Sequence, residues 1–177
     1  YLGGFIEHVV ATTEIALNLC KVIKRIYHGK VDEDLVIAGV ILHDIFKPLV
    51  YEEKEGAYMS TPLAERIDHL SLIVSELIRR GFPLDLIHIV CASHGGDAGP
   101  TWPRTVEALV VHLADITDSR LNGEVLRAAR YLSREATGEE IQPANSKEAF
   151  QIVNSKVVAG WEGVQKTVEK IKQKRTP

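Results

Sequence analysis

Histidine and aspartate residues that could bind a metal recur along the first two thirds of the sequence, within or beside apolar segments. His43 and Asp44 are adjacent at the end of the apolar run Ile-Ala-Gly-Val-Ile-Leu. An imidazole nitrogen and a carboxylate oxygen together suit divalent transition metals. A buried pair whose hydrogen bonds are satisfied by the protein would explain these two residues equally well. The choice between the two interpretations depends on four further residues, which are His8, His69, His94 and Asp115.

The spacing of these residues matches the length of one helix and its connection. The successive intervals that follow His43 are 26 residues to His69, 25 to His94 and 21 to Asp115. Consecutive helices in a bundle run antiparallel, so such intervals return the chain to the same region of the bundle. His8 begins a second apolar stripe of the first helix, which a satisfied core histidine would also explain. All six side chains can therefore converge inside one helical bundle.

His112, Asp115 and Asp118 lie on one side of the predicted fifth helix, because positions three apart on a helix differ by about 60°. Polar side chains among valines and leucines are costly to bury unless something binds them, which makes Asp115 a candidate ligand. The other two residues have competing interpretations. His112 could donate to a backbone carbonyl, and Asp118 could cap the helix or face solvent.

The two cysteines, Cys20 and Cys91, are far apart in the sequence and lie within apolar helical patterns. This usage predicts reduced, buried thiols and a cytoplasmic protein. Cys91 could also form a metal set with His88 and His94, since the three residues are three positions apart. Their side chains spread over about 120° of a helix, however, which is too wide for easy shared ligation. A buried Cys91 beside a peripheral His88 is the favoured interpretation.

Apolar residues at helical spacing predict an all-α fold with no convincing β-strand. A polar loop is expected from Leu49 to Tyr58, and Asn122-Gly123 is expected to end the fifth helix. The predicted helices are Phe5–His28, Asp32–His43, Ser60–Arg80, Pro83–His94, Thr105–Leu121, Glu124–Thr137 and a last helix that starts at a capping box of Asn145 and Glu148. The last helix carries a single apolar stripe that includes Val157 and could pack within the chain or against a partner.

Length and composition favour one domain over residues 1–177, because 45% hydrophobic content is ample for a single core. Its metal-binding part is expected at about residues 3–121 and its additional helices at about 124–174. The net charge of −3 gives no overall basic field for nucleic acid or membrane. Basic residues from Lys170 to Arg175 complement the dipole of the last helix. The alternative interpretation of this basic cluster is a surface patch that binds nucleic acid. No apolar run reaches the roughly 18 residues of a membrane span, and no signal peptide is recognisable, so no membrane partner is expected.

Four stretches together resemble the HD superfamily of metal-dependent phosphohydrolases, whose ligand order is H…HD…H…H…D. These stretches are Gly4–His8, Ala38–Lys47, Ser93–Gly96 and Pro103–Ser119. The nearest resemblance is to the HD domain of bacterial 3′-to-5′ exoribonucleases, and it covers about residues 3–121. Phe46 and Asp68 depart from that pattern, because glycine is usual at both positions. The resemblance implies an HD-domain helical bundle with a five-helix metal-binding core and additional C-terminal helices.

The resemblance also implies a centre of two divalent transition metals. One metal would be surrounded by His8, His43, Asp44 and Asp115, and Asp44 would bridge to a second metal held by His69 and His94. This ligand set favours iron or manganese over magnesium, which prefers oxygen ligands and retained waters, and zinc and nickel are also less favoured. A bridging water would be acidified to hydroxide and would attack phosphorus.

By the same resemblance, Asp44 and Lys47 are the catalytic residues, and Lys47 and Arg104 would contact phosphate. A surface lysine beside a proline is the alternative for Lys47. The implied function is a phosphomonoesterase or phosphodiesterase that acts on a nucleotide or a related small phosphoester. Two alternatives keep the ligand set: a mixed-valent di-iron oxygenase with the same ligand order, and a non-catalytic nucleotide-sensing module. RNA is a disfavoured partner, because the chain is acidic and has no aromatic-basic platform.

Overall fold

The computed structural model describes residues 3–54 and 57–175, and most of these residues are helical. The helices are α1 (Gly4–Arg25), α2 (Glu33–His43), α3 (Lys47–Val50), α4 (His69–Arg79), α5 (Leu84–Cys91), α6 (Gly95–Ala98), α7 (Val106–Thr137) and α8 (Ser146–Arg175). Two antiparallel strands, β1 (Tyr51–Lys54) and β2 (Ala57–Ser60), form a small hairpin. The predicted all-α class is confirmed, with this hairpin as an addition. Within the described ranges, no helix has the length and apolar character needed to cross a membrane.

The chain forms two compact units. One comprises residues 6–118 and contains every side chain of the predicted site, and the other comprises the described residues 3–5 and 119–175. In the first unit α2 packs against α5, and α4 packs against both. Gly39 allows the close approach of α2 to α5, because an added Cβ there would lie 2.3 Å from Ile89 Cγ2. His43, the last residue of α2, and Asp44, which follows it, are both fully buried.

Asp68 determines where α4 begins. One of its carboxylate oxygens accepts a hydrogen bond from the Ser71 N–H at 2.8 Å, and the other accepts from the Ser71 hydroxyl at 2.9 Å. This cap makes His69 the first residue of the helix. The predicted helix start at Ser60 is wrong, because Ser60 ends β2 and the segment from 61 to 68 is not helical.

A short helix and a hairpin stand where a loop was predicted from Leu49 to Tyr58. The strands pair in register, beginning with Tyr51 opposite Ser60. Thr61 closes the base of the hairpin, because its N–H and its hydroxyl donate to two carbonyl oxygens of α3, each at 3.0 Å. Residues 55 and 56 of the predicted loop lie outside the described residues. The loop prediction is wrong for the strands, whose Glu-Glu-Lys sequence lacks apolar alternation.

The helix α7 continues through Asn122 and Gly123, where the sequence predicted an end. That prediction is wrong, and so is the prediction of a separate helix after it. An added Cβ at Gly123 would meet nothing within 4 Å, so this position does not require glycine. Continuation of the helix buries Ala129 in the core of the second unit. This burial outweighs the low helix propensity of asparagine and glycine.

The helix α8 starts at the predicted capping box and is interrupted near its middle. The Glu148 N–H donates to Asn145 Oδ1 at 2.9 Å, which confirms the predicted start. Ala159 and Gly160 leave helical geometry, and Gly160 has a φ of 63°. The prediction of a single apolar stripe is wrong, because the interruption changes its phase and Val157 is 82% exposed.

The basic end of α8 takes part in ion pairs within the second unit. Lys172 contacts Glu139, and Arg175 contacts Glu148. Arg175 also donates to the carbonyl of Gln142 at 3.0 Å. These contacts give two of the cations a structural role, which weakens the nucleic-acid alternative for this cluster.

Candidate metal centre

The six side chains predicted as metal ligands converge within the unit of residues 6–118, although they come from separate elements. In chain order, they are His8 on α1, His43 and Asp44 at the end of α2, His69 at the start of α4, His94 before α6 and Asp115 on α7. They form two groups of three, and in each group one donor atom per residue lies within 4.8 Å of the others. The groups are His8, His43 and Asp115, and then Asp44, His69 and His94.

The carboxylate of Asp44 faces both groups. Its Oδ2 lies 3.4 Å from His43 Nε2 and 3.5 Å from His8 Nε2. Its Oδ1 lies 3.1 Å from His69 Nε2 and 3.7 Å from His94 Nε2. Each oxygen therefore has its own pair of imidazole neighbours, and Asp44 is the residue that connects the two groups.

The end of α2 orients the side chains of His43 and Asp44. The His43 Nδ1–H donates to the Val40 carbonyl at 2.7 Å, which leaves Nε2 directed toward the centre. Asp44 leaves helical geometry with φ −112° and ψ 0°. Its carbonyl accepts from the Lys47 N–H at 2.9 Å, which closes the turn before α3. The two side chains thus point to one centre because the helix ends between them.

Asp118 orients His8. The His8 Nδ1–H donates to Asp118 Oδ2 at 2.6 Å, and the opposite ring nitrogen, Nε2, lies 3.2 Å from Asp115 Oδ1. Asp118 is only 6% exposed and α7 continues past it to Thr137, so both alternatives considered for it, a solvent-exposed residue and a helix cap, are wrong. Carboxylates that accept from the second ring nitrogen of a ligating histidine hold the imidazole in one orientation. The three-residue spacing in the sequence indicated that Asp118 shares a helix side with Asp115. It did not indicate that Asp118 would contact His8 on α1.

His112 supports the backbone on either side of His94. Its Nδ1–H donates to the Ser93 carbonyl at 2.7 Å, which confirms the carbonyl alternative for this residue. Gly95 has a φ of 68°, and an added Cβ there would lie 2.6 Å from His112 Cε1. The predicted end of the fourth helix at His94 is wrong, because α5 ends at Cys91 and His94 precedes α6. His112 therefore lies beside the centre without belonging to either group of three.

The rival set of His88, Cys91 and His94 does not form a group among the described residues. His88 Nε2 instead accepts a hydrogen bond from the backbone N–H of Arg104 at 3.0 Å.

The side chain of Arg104, a predicted phosphate contact, is exposed in the segment before α7. Lys47 contacts the centre directly, since its Nζ lies against Asp44 Oδ2.

Buried opposite charges keep Asp44 ionised. Burial alone would raise the pKa of this carboxyl group. Close contacts with the imidazoles of His69 and His94, together with the charges of His43 and Lys47, lower the pKa far below its usual 3.8. The anionic form, which a metal requires, is therefore the stable form of Asp44.

The first group shows the same balance between burial and charge. Burial raises the pKa of Asp115, but close contacts with the imidazoles of His43 and His8 lower it well below 3.8. Burial lowers the pKa of His8, but the carboxylates of Asp115 and Asp118 raise it more, so the net shift is above 6.5. The neighbouring carboxylates therefore favour the protonated form of His8 in the metal-free protein.

The donor atoms fit a divalent metal. His8 Nε2, His43 Nε2 and both oxygens of Asp44 are buried and form no well-aligned hydrogen bond within the described part of the chain. Buried polar atoms without such bonds are costly, and a cation would satisfy them. In the second group, His69 Nε2 lies 3.4 Å from His94 Nε2. Ligands at about 2.1 Å from an ion lie about 3.0 to 3.4 Å apart, so these spacings suit metal coordination.

Comparison with known proteins agrees with this geometry. The HD domain family matches residues 5–120. Dihydroneopterin 2′,3′-cyclic phosphate phosphodiesterase of Methanocaldococcus jannaschii is 41% identical over 175 residues, which cover 97% of this chain and 68% of that protein. The 3′-5′ exoribonucleases YhaM of Bacillus licheniformis and Bacillus subtilis are each 31% identical over 134 residues, which cover 69% of this chain and 40% of theirs. No solved structure gives a significant match.

The family match spans well over half of the chain and includes all six candidate ligands. The predicted resemblance to HD-superfamily enzymes is thereby confirmed, and so is the more specific resemblance to bacterial exoribonucleases. The phosphodiesterase relative extends the similarity beyond the HD domain to nearly the whole chain. The chain therefore belongs to the HD-domain superfamily of metal-dependent phosphohydrolases.

Proposed function

We propose that this protein is a metal-dependent phosphodiesterase that opens a 2′,3′-cyclic phosphate on a small substrate with a nucleoside-like heterocycle. The relative from Methanocaldococcus jannaschii, whose name states such an activity, aligns with 97% of this chain. The exoribonuclease relatives align over only 40% of their own length, so a small phosphodiester is favoured over RNA.

The position of Asp44 is the observation that carries the proposal. Its two oxygens face different histidine pairs at 3.1 to 3.7 Å, which supports a carboxylate bridge between two ions. The proposed ligands are His8, His43 and Asp115 for one ion and His69 and His94 for the other, with Asp44 shared. Four imidazoles favour iron or manganese over magnesium.

Divalent ions in this centre would supply an activated hydroxide and would stabilise negative charge on the phosphoryl group. The protein holds the imidazoles in position through the hydrogen bonds that His8 donates to Asp118 and that His43 donates to the Val40 carbonyl. Hydrolysis adds one water to the cyclic diester and breaks one P–O bond. The released sugar hydroxyl takes a proton, and a phosphomonoester remains.

Two cations are proposed to bind the phosphate of the substrate. The Lys47 side chain is 32% exposed and its Nζ lies beside Asp44, so it can pair with a phosphate oxygen as a point charge. Arg104 offers a second cation from the exposed turn before α7. The free thiols of Cys20 and Cys91 support the expected cytoplasmic location.

The test uses protein loaded anaerobically with Fe²⁺ or Mn²⁺ and assayed with guanosine 2′,3′-cyclic phosphate, dihydroneopterin 2′,3′-cyclic phosphate and a short RNA. We expect turnover of the cyclic phosphates and its loss in Asp44→Asn. Glu14→Gln, which removes an exposed carboxylate from α1, is the matched control and should retain activity. Absence of hydrolysis with either metal, or equal activity in Asp44→Asn, would overturn the proposal. Oxygen consumption would instead favour the oxygenase alternative, and tight binding without turnover would favour the sensing module.

A further inference from the structure

Trp102 packs its indole ring against two neighbours and is nevertheless half exposed. The ring lies against the backbone of Gly96, where an added Cβ would be only 2.1 Å from the indole Nε1. Its edge meets the imidazole of His112, with the ring centroids 6.5 Å apart and the planes at 82°. The residue is still 54% exposed. A tryptophan that only covered a glycine would be expected to bury more of this large ring.

The neighbours of Trp102 place it beside the candidate metal centre. Gly96, on which the indole lies, follows His94 by two residues. His112, whose ring meets the indole, donates to the carbonyl that precedes His94 at 2.7 Å. His112 also lies one helical turn before Asp115 on α7, where side chains three positions apart are neighbours. The indole therefore packs against residues that adjoin two of the six candidate ligands in the chain, while about half of the residue stays exposed.

The segment that presents Trp102 is restrained. Pro100 and Pro103 flank it and limit the backbone conformations of the turn. The Arg104 N–H donates to His88 Nε2 at 3.0 Å, which attaches the end of the segment to α5. A ring held in this way loses little conformational freedom when a ligand binds. The Arg104 side chain, proposed as a phosphate contact, is exposed two residues further along.

We propose that the exposed face of Trp102 stacks on the heterocycle of the substrate, a fused ring of the guanine or pterin type that carries the cyclic phosphate. This inference rests on the proposed phosphodiesterase function. Stacking of a base on an aromatic side chain strengthens binding about 5- to 150-fold and tolerates different rings, because each has a π face. Trp102 thereby selects phosphodiesters that bear a heterocycle, whereas the metal centre acts on the phosphodiester group itself.

The kinetic test compares guanosine 2′,3′-cyclic phosphate with glycerol 1,2-cyclic phosphate, which has no ring. Trp102→Leu keeps apolar cover over Gly96 but lacks a π face, and Trp102→Phe keeps one. We expect Trp102→Leu to raise KM for the guanosine substrate about 5- to 150-fold with little change in kcat. KM for the glycerol substrate should not change, and Trp102→Phe should lie close to the wild type. An equal effect on both substrates, or no effect on either, would overturn the proposal.

The binding test does not depend on activity. The sequence has two tryptophans, so Trp161→Phe leaves Trp102 as the single indole reporter. In this variant, metal-free and folded by circular dichroism, guanosine should quench the fluorescence in a saturable way and glycerol phosphate should not. Absence of saturable quenching would overturn the inference. If the wild type hydrolyses neither cyclic phosphate, the proposed function fails, and this titration alone decides whether Trp102 stacks on a heterocycle.

Discussion

Replacement of Asp118 by asparagine should weaken metal binding while leaving the protein folded. The carboxylate accepts from His8 Nδ1–H at 2.6 Å and is almost completely buried. Asparagine has the same shape, and its amide oxygen can still accept this hydrogen bond, but the negative charge is lost. The imidazole then becomes a weaker ligand through its other nitrogen. Changes at such supporting residues reduce metal affinity about 10- to 100-fold, which corresponds to about 1.4 to 2.7 kcal/mol.

Asp118→Ala should have the larger effect, because it leaves the buried His8 Nδ1–H with only the Thr12 hydroxyl, at 3.4 Å, as a partner. Affinity is measured by competition with a chromophoric chelator, and Glu14→Gln provides the matched loss of one charge on an exposed site. The pKa of His8 in metal-free protein, followed by NMR, should fall in Asp118→Asn, because one of the carboxylates that raise it is gone. Unchanged metal affinity and an unchanged His8 pKa would refute this account of Asp118.

Three further predictions follow from the same contacts. Lys47→Ala should lower kcat/KM for the phosphodiester about 10- to 100-fold, because a charge-assisted contact to phosphate is lost. The metal content of this variant, measured by mass spectrometry, should equal that of the wild type. Gly39→Ala should destabilise the fold by about 1 to 3 kcal/mol, because the added methyl would lie 2.3 Å from a side-chain atom of α5. Gly123→Ala should stabilise the fold by about 0.5 to 1 kcal/mol, because the added methyl meets no neighbour and alanine has the higher helix propensity. Urea unfolding measures both changes. In chelator-treated protein, two groups make the free energy of unfolding depend on pH. The lowered pKa of Asp44 stabilises the fold at pH values above its unfolded pKa of 3.8. The raised pKa of His8 stabilises the fold below pH 6.5, and this stabilisation is lost as the pH rises through the raised pKa. The melting temperature should therefore be highest between these two pH values, and a steady rise from pH 6 to pH 8 would contradict that reasoning.

The convergence of the six side chains followed from the sequence because each lies near a helix end or on an apolar helix. The intervals of 26, 25 and 21 residues indicated this convergence, but they do not each equal one helix and its connection. Between His43 and His69 the chain forms α3 and the hairpin, and between His69 and His94 it forms two helices, α4 and α5. The longer helices were also readable from apolar periodicity, whereas the short helices α3 and α6 and the two strands were not. The role of the six residues as metal ligands stays a prediction.

Other features depended on contacts that a single sequence does not display. The hydrogen bond between Asp118 and His8 joins residues 110 positions apart, so only the register of α7 against α1 reveals it. The strands were missed because their charged residues hide the alternation that marks a strand. The helix α7 passes through Asn122-Gly123 because burial further along outweighs weak local propensity. Local stop signals were thus the least reliable guide to element ends.

The number of metal ions bound per chain tests the central claim most directly. Protein loaded anaerobically with Fe²⁺ or Mn²⁺ and freed of loosely bound ions can be analysed by inductively coupled plasma mass spectrometry. We expect two ions in the wild type and one in His69→Ala, which removes a ligand from one group only. A wild-type chain that binds no ion, or a single ion that His69→Ala leaves in place, would contradict the proposed two-ion centre.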